Sequence, residues 1–302
     1  MRLQAKIGKL FSEKTEAVVI GLFEKEKFSL DLKKLDFALN NEISHMFKNK
    51  EFKASFKELK LLNTYKKLPA SKVLLIGLGK KGKFKTDCLR KAAAISAKTL
   101  RGTGVKNFVT TLQSIPVKGS TLLDKTQIVT EGMILGLYDF KKYITVDKDK
   151  LKAINKVTIL ESKNLTAVKG GIAKGKILAN NVNHIRDLVN EPADKVTPTY
   201  LANEAKKIAK ESKGKVKATV FGKKEIANKG MGALIGVSKG SAEEPKFIIL
   251  DYKGANTKPI VFVGKGITFD SGGLDVKPAK YMEDMRCDMA GAATVIHTVK
   301  AA

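Results

Sequence analysis

Short, continuous apolar runs, each about the length of one β-strand, recur along the chain and constrain its fold more than any other feature. EAVVIGLF (residues 16–23) and KVLLIGLG (72–79) show no alternation of polar and apolar residues, which is typical of strands buried on both faces of a sheet. The alanine-rich stretch that follows them, TDCLRKAAAISAKTLRGTG (86–104), has a helical composition. Buried strands that alternate with helices predict an α/β fold.

The same alternation continues in the second half of the chain. Three further strand-length runs occupy residues 215–222, 246–252 and 259–266. Thr197 followed by Pro198 is typical of an N-cap and the first residue of a helix. A chain of 302 residues is long enough for two hydrophobic cores. We therefore predict an N-terminal domain, a connecting segment and a second α/β domain, at residues 1–150, 151–175 and 176–302.

The charge is strongly basic, with 57 lysines and arginines against 30 acidic residues and a formal net charge of +27. Only five of the basic residues are arginine, and tryptophan is absent. Lysines scattered along every segment behave as solvated point charges, whereas recognition of phosphates and bases favours arginine and stacked aromatic rings. The pattern favours a solvated lysine-rich surface, and a face that binds DNA or RNA is kept as the alternative.

Other composition features exclude several classes of protein. No apolar run reaches the ~20 residues of a membrane-spanning helix, and charges interrupt the N-terminal segment too early for a secretory signal; we expect a cytoplasmic protein without a membrane partner. Cys88 and Cys287 form neither a disulfide framework nor a Cys-x-x-Cys motif. For His184 and His297, which lie on helical patterns, we expect packing or surface roles rather than metal ligation.

The run GLGKKG (residues 77–82) has the Gly-x-Gly-x-x-Gly pattern of a dinucleotide-binding turn. That motif also needs an acidic residue about 20 positions later to bind the ribose. Residues 96–107, SAKTLRGTGVKN, contain no acid. We interpret the glycines as a turn between a strand and a helix.

The stretch VGKGITFDSGGLDVKPAKYMEDMRCDMAGAA (residues 263–293) gathers the residues most suited to chemistry. Lys265 follows an apolar run, Asp270 opens a glycine-rich turn, and Lys277 and Asp288 follow at irregular spacing. Carboxylates bind divalent cations, and an amine can do so once the cation displaces its proton. These groups converge only if loops fold them together, so a metal site and a phosphate-binding or structural loop both remain open.

The stretch 264–293 closely resembles the active-site strand, loop and helix of the leucine aminopeptidases, peptidase family M17. Residues 185–205 and 230–252 also look like segments of that family, and residues 72–84 carry a looser likeness in the N-terminal half. The resemblance implies a macro-like N-terminal α/β domain followed by an incomplete, mixed-sheet catalytic α/β domain. It implies an aminopeptidase that releases N-terminal residues, preferably leucine-like, from peptides.

The resemblance also implies a role for each residue of the site. Lys265, Asp270 and Asp288 match metal ligands, with Asp270 bridging two divalent cations, either Mn²⁺ or Zn²⁺. Lys277 matches the catalytic lysine that polarises the scissile carbonyl and stabilises the oxyanion. Lys277, Asp288 and Met285 are the expected substrate contacts, with Met285 lining the pocket for the first side chain.

The chain departs from the family in one respect. M17 enzymes carry a later Asn-Thr-Asp-Ala-Glu-Gly-Arg run, which supplies two more metal carboxylates and an arginine that holds a bicarbonate, and this run is absent here. Three protein ligands are too few for two cations. We therefore expect a truncated and inactive fragment of a longer aminopeptidase, with the bicarbonate and a homohexamer belonging only to the full-length protein.

Overall fold

The computed structural model of the protein describes residues 1–255 and 257–302, which divide into two compact units, Met1–Ala179 and Asn180–Ala302. The elements that begin in the first unit are β1 (Arg2–Ile7), β2 (Thr15–Phe23), α1 (Leu30–Ala38), α2 (Glu42–Lys48), β3 (Leu59–Asn63), β4 (Ala70–Gly79), α3 (Thr86–Gly102), β5 (Asn107–Thr110), α4 (Leu122–Gly136), β6 (Lys156–Glu161) and α5 (Leu165–Asn190). The second unit continues with α6 (Pro198–Glu211), β7 (Val216–Phe221), α7 (Lys223–Asn228), α8 (Gly232–Ser238), β8 (Phe247–Tyr252), α9 (Ala279–Met282) and α10 (Ala290–Ala301).

A six-stranded sheet in the order β1-β6-β5-β2-β4-β3 forms the centre of the first unit. Its neighbours pair in parallel except β3, which is antiparallel to β4. Val18 and Leu75 belong to one hydrophobic core, and Val19 and Leu74 belong to another. Because successive residues of a strand point to opposite faces, both faces of the sheet are buried. The continuous apolar runs of β2 and β4 follow from this burial.

Helices cover both faces of this sheet. Leu89 of α3 and Met133 of α4 lie in the core that contains Val19. Leu35 of α1 and Ile43 of α2 lie in the core on the other face. The first unit is therefore a three-layer structure with a mixed sheet, and its α/β class agrees with the sequence prediction.

Glycines allow α3 and α4 to approach closely. A Cβ atom added to Gly132 would lie 2.3 Å from the backbone oxygen of Arg90. The Arg90 side chain also contacts α4, because its Nη2 lies 3.0 Å from Oε2 of the buried Glu131.

The α4 helix begins with a capping box, in which the Thr121 hydroxyl accepts from the backbone N–H of Asp124 at 3.2 Å.

The glycines of the GLGKKG run serve the packing of the sheet. A Cβ at Gly77 would lie 2.1 Å from the Ser55 backbone oxygen, and Gly79 has a φ of +72°, which favours glycine. Helix α3 begins only at Thr86. These contacts agree with the interpretation as a turn between a strand and a helix.

The segment expected to connect the domains is largely regular in the structure. Strand β6 lies within residues 151–175 and pairs in parallel with both β1 and β5. Its residues Val157 and Ile159 are fully buried in the core of the first unit. This strand lies inside the sheet, so the first compact unit extends to Ala179.

The second unit is built on the antiparallel pair β7–β8. Its core contains Leu188 of α5, Leu201 and Ile208 of α6, and Ile296 of α10. The predicted start of α6 is confirmed, because the Thr197 hydroxyl accepts from the backbone N–H of Tyr200 at 3.2 Å and Pro198 is the first helical residue. An α/β fold is thus present in both units.

The prediction of a strand over residues 259–266 is wrong. In the described part of the chain, these residues form neither a strand nor a helix. The side chains of Ile260, Val261 and Val263 are exposed, at 82%, 75% and 92%. A strand needs a neighbour for its backbone hydrogen bonds, and the second sheet, over the residues described, consists of β7 and β8 alone.

Among the helices that the structure describes, none combines the length and the apolar character required to cross a membrane.

Candidate metal centre

The structure places Lys265, Asp270, Lys277 and Asp288 in two ion pairs. The Nζ of Lys265 lies 2.7 Å from Oδ2 of Asp288. The Nζ of Lys277 lies 2.8 Å from Oδ2 of Asp270, and the same amine donates to Sδ of Met285 at 3.1 Å. All five predicted site residues therefore make contacts within this group.

A tight loop brings Asp270 and Lys277 together despite their separation in sequence. The Lys277 N–H donates to the Ser271 carbonyl at 2.9 Å and closes the loop. The Gly272 N–H donates to Oδ1 of Asp270, also at 2.9 Å. Gly272 has a φ of +93°, and a Cβ there would lie 2.3 Å from the Asp275 carbonyl oxygen. Only glycine fits this turn, which fixes the Asp270 carboxylate beside the Lys277 amine.

Backbone packing at the start of α10 positions Lys265 beside Asp288. The Ala292 N–H donates to the Lys265 carbonyl at 2.7 Å. A Cβ at Gly264 would lie 2.4 Å from the Gly291 carbonyl oxygen, so the two backbones touch directly. Asp288 lies two residues before the first residue of α10. The glycines thus allow the segment around Lys265 to lie against the beginning of the helix that follows the Asp288 carboxylate.

The two ion pairs shift the protonation of their members. The hydrogen bond from Lys277, assisted by the Gly272 N–H, lowers the pKa of Asp270 below its ordinary value. The Asp288 carboxylate raises the pKa of Lys265, and the negative charge of Asp270 acts in the same direction. Lys265 therefore senses both carboxylates, which places the two pairs in one electrostatic environment.

The donor atoms fit a divalent cation. Carboxylate oxygens are the ligands that hard cations prefer. Among the residues described, no hydrogen bond reaches the buried Oδ2 of Asp288, whose close neighbour is the Lys265 ammonium. A cation could replace this ammonium as the partner of the carboxylate. The Lys265 amine would then become a ligand after losing its proton, which its raised pKa opposes.

A second group of ligand-type side chains, which no sequence motif indicates, lies in the second unit. In the described ranges, the group of three His, Cys, Asp or Glu side chains with ligand atoms within 4.8 Å of one another is His184, Glu204 and His297. These residues come from α5, α6 and α10. No motif joins them in sequence, and the two helical histidines were assigned to packing. The one sequence feature that could have drawn attention to them is that the chain contains just three histidines.

Two family models match the chain. The model described as the cytosol aminopeptidase family, catalytic domain, matches residues 183–302. The model described as the cytosol aminopeptidase family, N-terminal domain, matches residues 19–146. Together the matched ranges span most of the chain, and all five predicted site residues lie within the catalytic-domain match. The chain belongs to the cytosol aminopeptidase family, peptidase family M17.

Similar proteins cover the whole chain. A probable cytosol aminopeptidase of Geobacter sp. (strain M21) is 37% identical over 305 residues, covering 100% of this chain and 61% of its own length. The cytosol aminopeptidase of Pseudomonas aeruginosa (strain PAO1) is 35% identical over 291 residues, covering 95% of this chain and 58% of its own length. The chain thus spans less than two thirds of the length of these relatives.

Solved structures show the same fold. The bottromycin maturation enzyme BotP, in complex with Mn, superposes with a TM-score of 0.74 and 26% identity, covering 95% of this chain and 56% of its own. A mutant of tomato leucine aminopeptidase superposes with a TM-score of 0.80 and 24% identity, covering 99% of this chain and 58% of its own.

Proposed function

We propose that this chain carries metal- and substrate-binding residues of an aminopeptidase that releases N-terminal amino acids, leucine-like ones preferred, from peptides. The observation that carries the proposal is the pairing of Lys265 with Asp288 and of Asp270 with Lys277 inside the range matched by the M17 catalytic domain. Lys265, Asp270 and Asp288 would hold two divalent cations, Mn²⁺ or Zn²⁺. Asp270 would bridge them, since a carboxylate offers two oxygens.

When bound, two such cations lower the pKa of a water molecule and supply the nucleophile for peptide hydrolysis. Lys277 provides a fixed positive charge for the oxygen of the scissile carbonyl, where negative charge develops. Its amine is held by Asp270 and Met285, which restricts its position. Lys265 must be deprotonated to act as a ligand, so cation binding should strengthen as the pH rises.

We assign the substrate contacts to Lys277, Asp288 and Met285. Met285 has a flexible and polarisable side chain that adapts to branched apolar groups, and its sulfur lies 3.1 Å from the Lys277 amine. A leucine-like side chain beside Met285 would bring the scissile carbonyl near Lys277. This arrangement supports a preference for apolar N-terminal residues.

The ligand count of the site limits what these residues do alone. Lys265, Asp270 and Asp288 offer three protein ligands, whereas two cations with four or more ligands each need more. We propose that the 302-residue chain binds these cations weakly and hydrolyses little or no substrate. In this proposal the full-length protein is a cytoplasmic homohexamer that acts on peptides and holds the bicarbonate.

The alternative of a DNA- or RNA-binding protein is not favoured by the family assignment. The net charge of +27 remains compatible with a solvated lysine-rich surface.

The proposal is tested with an extended chain, in which the 302 residues are followed by the remainder of the Geobacter sp. (strain M21) relative. We expect the extended chain to hydrolyse leucine amide with Mn²⁺ or Zn²⁺, and the 302-residue chain to show little or no hydrolysis. Strong activity from the 302-residue chain would contradict the ligand count, and a folded, metal-loaded extended chain without activity would contradict the proposed function.

Two lysine variants distinguish a catalytic role of Lys277 from a general effect of positive charge. Lys277→Ala in the extended chain should lower kcat by about 10²–10³-fold, because a fixed charge opposite the oxyanion is lost. Lys280→Ala removes an exposed lysine from the beginning of α9 and should leave kcat within about twofold of the unmodified enzyme. Equal losses in the two variants would remove Lys277 from the proposed mechanism.

A further inference from the structure

Three helices of the second unit bring two imidazoles and a carboxylate together. The Nε2 of His184 lies 3.4 Å from Oε1 of Glu204, and the Nε2 of His297 lies 3.9 Å from the same oxygen. One ligand atom from each of the three residues lies within 4.8 Å of the ligand atoms of the other two. His297 and Glu204 are buried, whereas the side chain of His184 is 41% exposed.

The His184 ring, 3.4 Å from the Glu204 carboxylate, lowers the pKa of that carboxyl, but the contact is long for a hydrogen bond. Across the described ranges, no well-aligned hydrogen bond reaches Nε2 of His184, Nε2 of His297 or Oε1 of Glu204. Buried polar atoms are nearly always paired, because an unpaired one loses its interactions with water and gains nothing. Three such atoms lie close enough together for one polar partner to satisfy all of them.

Asn181 fixes the orientation and the tautomer of His297. The Nδ1 of His297 lies 3.1 Å from Oδ1 of Asn181. An amide oxygen only accepts, so Nδ1 carries the hydrogen and Nε2 presents a lone pair toward the Glu204 carboxylate. Burial, helped by the charge of His184, lowers the pKa of His297 to about 4, which keeps the ring neutral. Two acceptors facing each other repel unless a cation lies between them.

We propose that His184, Glu204 and His297 bind one divalent cation of the zinc class and that the cation links α5, α6 and α10. Two imidazoles and one carboxylate are a ligand set that zinc uses, with water as the fourth ligand. Bonds of 2.0–2.1 Å in a tetrahedron place the ligand atoms about 3.3 Å apart. The two separations from the Glu204 oxygen, 3.4 and 3.9 Å, need a contraction of at most about 0.6 Å, and the ligand atoms of the three residues all lie within 4.8 Å.

Residues next to the three ligands support cation binding at this site. The contact between Asn181 and His297 is the kind of outer interaction that orients metal-binding histidines. The His184 side chain is 41% exposed, although its Nε2 atom is buried, so the site lies close to the surface. This site shares no residue with the group formed by Lys265, Asp270, Lys277 and Asp288. Since α10 begins two residues after Asp288, the ion would also anchor the helix that follows this carboxylate.

The test is calorimetric titration of the 302-residue chain with Zn²⁺. We expect one tight equivalent in the unmodified chain and in Asp270→Asn, which keeps the other group out of the measurement. His184→Ala should weaken binding by more than about 100-fold, because a ligand is lost outright, and Asn181→Ala by about 10–100-fold. His45→Ala removes an exposed histidine of α2 and serves as the matched control; it should bind as the unmodified chain does.

A second variant and a second readout guard against misfolding. Glu204→Gln keeps the shape of the side chain and removes its charge, and it should also abolish tight binding. Co²⁺ in place of Zn²⁺ should give visible d–d absorption that His184→Ala abolishes and His45→Ala retains. The proposal is overturned if the unmodified chain takes up no tight Zn²⁺, or if His184→Ala and Glu204→Gln, both folded by circular dichroism, bind it equally well.

Discussion

The contact between Gly264 and the beginning of α10 should control the placement of Lys265. In Gly264→Ala, the new Cβ would lie 2.4 Å from the Gly291 oxygen, 2.6 Å from the Gly291 carbonyl carbon and 2.7 Å from the Ala292 nitrogen. Ordinary contacts begin at 3.4 Å, so the two backbones must separate by about 1 Å. The hydrogen bond from Ala292 to the Lys265 carbonyl, now 2.7 Å, would then exceed hydrogen-bonding distance.

We expect this overpacking to lower the local stability by about 1–3 kcal/mol. Such a loss corresponds to a roughly 5- to 150-fold increase in the rate of amide hydrogen exchange. Hydrogen exchange read by mass spectrometry over residues 264–268 and 289–296 measures it. Gly240→Ala is the control, because an added Cβ there meets no atom of the described residues within 4 Å. Unchanged exchange in Gly264→Ala would refute the argument that the glycine contact positions Lys265.

Three further predictions concern other parts of the molecule. Thr121→Ala removes the capping box of α4 and should lower the free energy of unfolding in urea by about 1 kcal/mol. Gly132→Ala places a Cβ 2.3 Å from the Arg90 oxygen and should cost about 1–3 kcal/mol in the same assay; an unchanged urea midpoint would contradict either reasoning. Without metal, the pKa of His297 is 6.5 unfolded and about 4 folded, so the unfolded state binds the proton first. Stability should fall by about 3 kcal/mol as the pH drops from 6.5 to 4, and an equal fall in His297→Gln would contradict this.

The fold of the first unit could be predicted for those strands whose burial produces a continuous apolar run in the sequence. The continuous apolar runs of β2 and β4 indicate strands covered on both faces, and the structure confirms this. Strand β1, RLQAKI, was not predicted. Only Leu3 of its residues is buried, so the sequence contains neither a continuous apolar run nor a clear alternation of polar and apolar residues. An edge strand of this kind is specified by its pairing with β6 rather than by its own composition.

The strand predicted over residues 259–266 is wrong for a different reason, since here the apolar pattern is present but the pairing is not. The run PIVFVGKG is apolar enough for a buried strand, but apolar character does not supply the neighbouring strand that satisfies its backbone. With Ile260 and Val263 exposed in the structure, the run shows strand propensity without strand pairing. Propensity is local, whereas pairing depends on distant parts of a chain.

The candidate site could also be predicted only in part. Family resemblance selected Lys265, Asp270, Lys277 and Asp288, but their irregular spacing could not show that they pair. The pairing arises from a turn that requires Gly272 and from backbone contact at the start of α10. The histidine cluster was missed because its members lie on three helices far apart in sequence. Only tertiary packing brings such residues together.

The metal content of the extended chain tests the central claim most directly. Prepared with Mn²⁺ in a His184→Ala background, which removes the cluster of the three helices, the extended chain should hold two ions and hydrolyse leucine amide. Asp270→Asn in the same background should lose bound Mn²⁺ and activity together, because the carboxylate proposed to bind both ions is gone, while Asp275→Asn in the same loop should retain both. Two bound ions and full activity in Asp270→Asn would contradict the account.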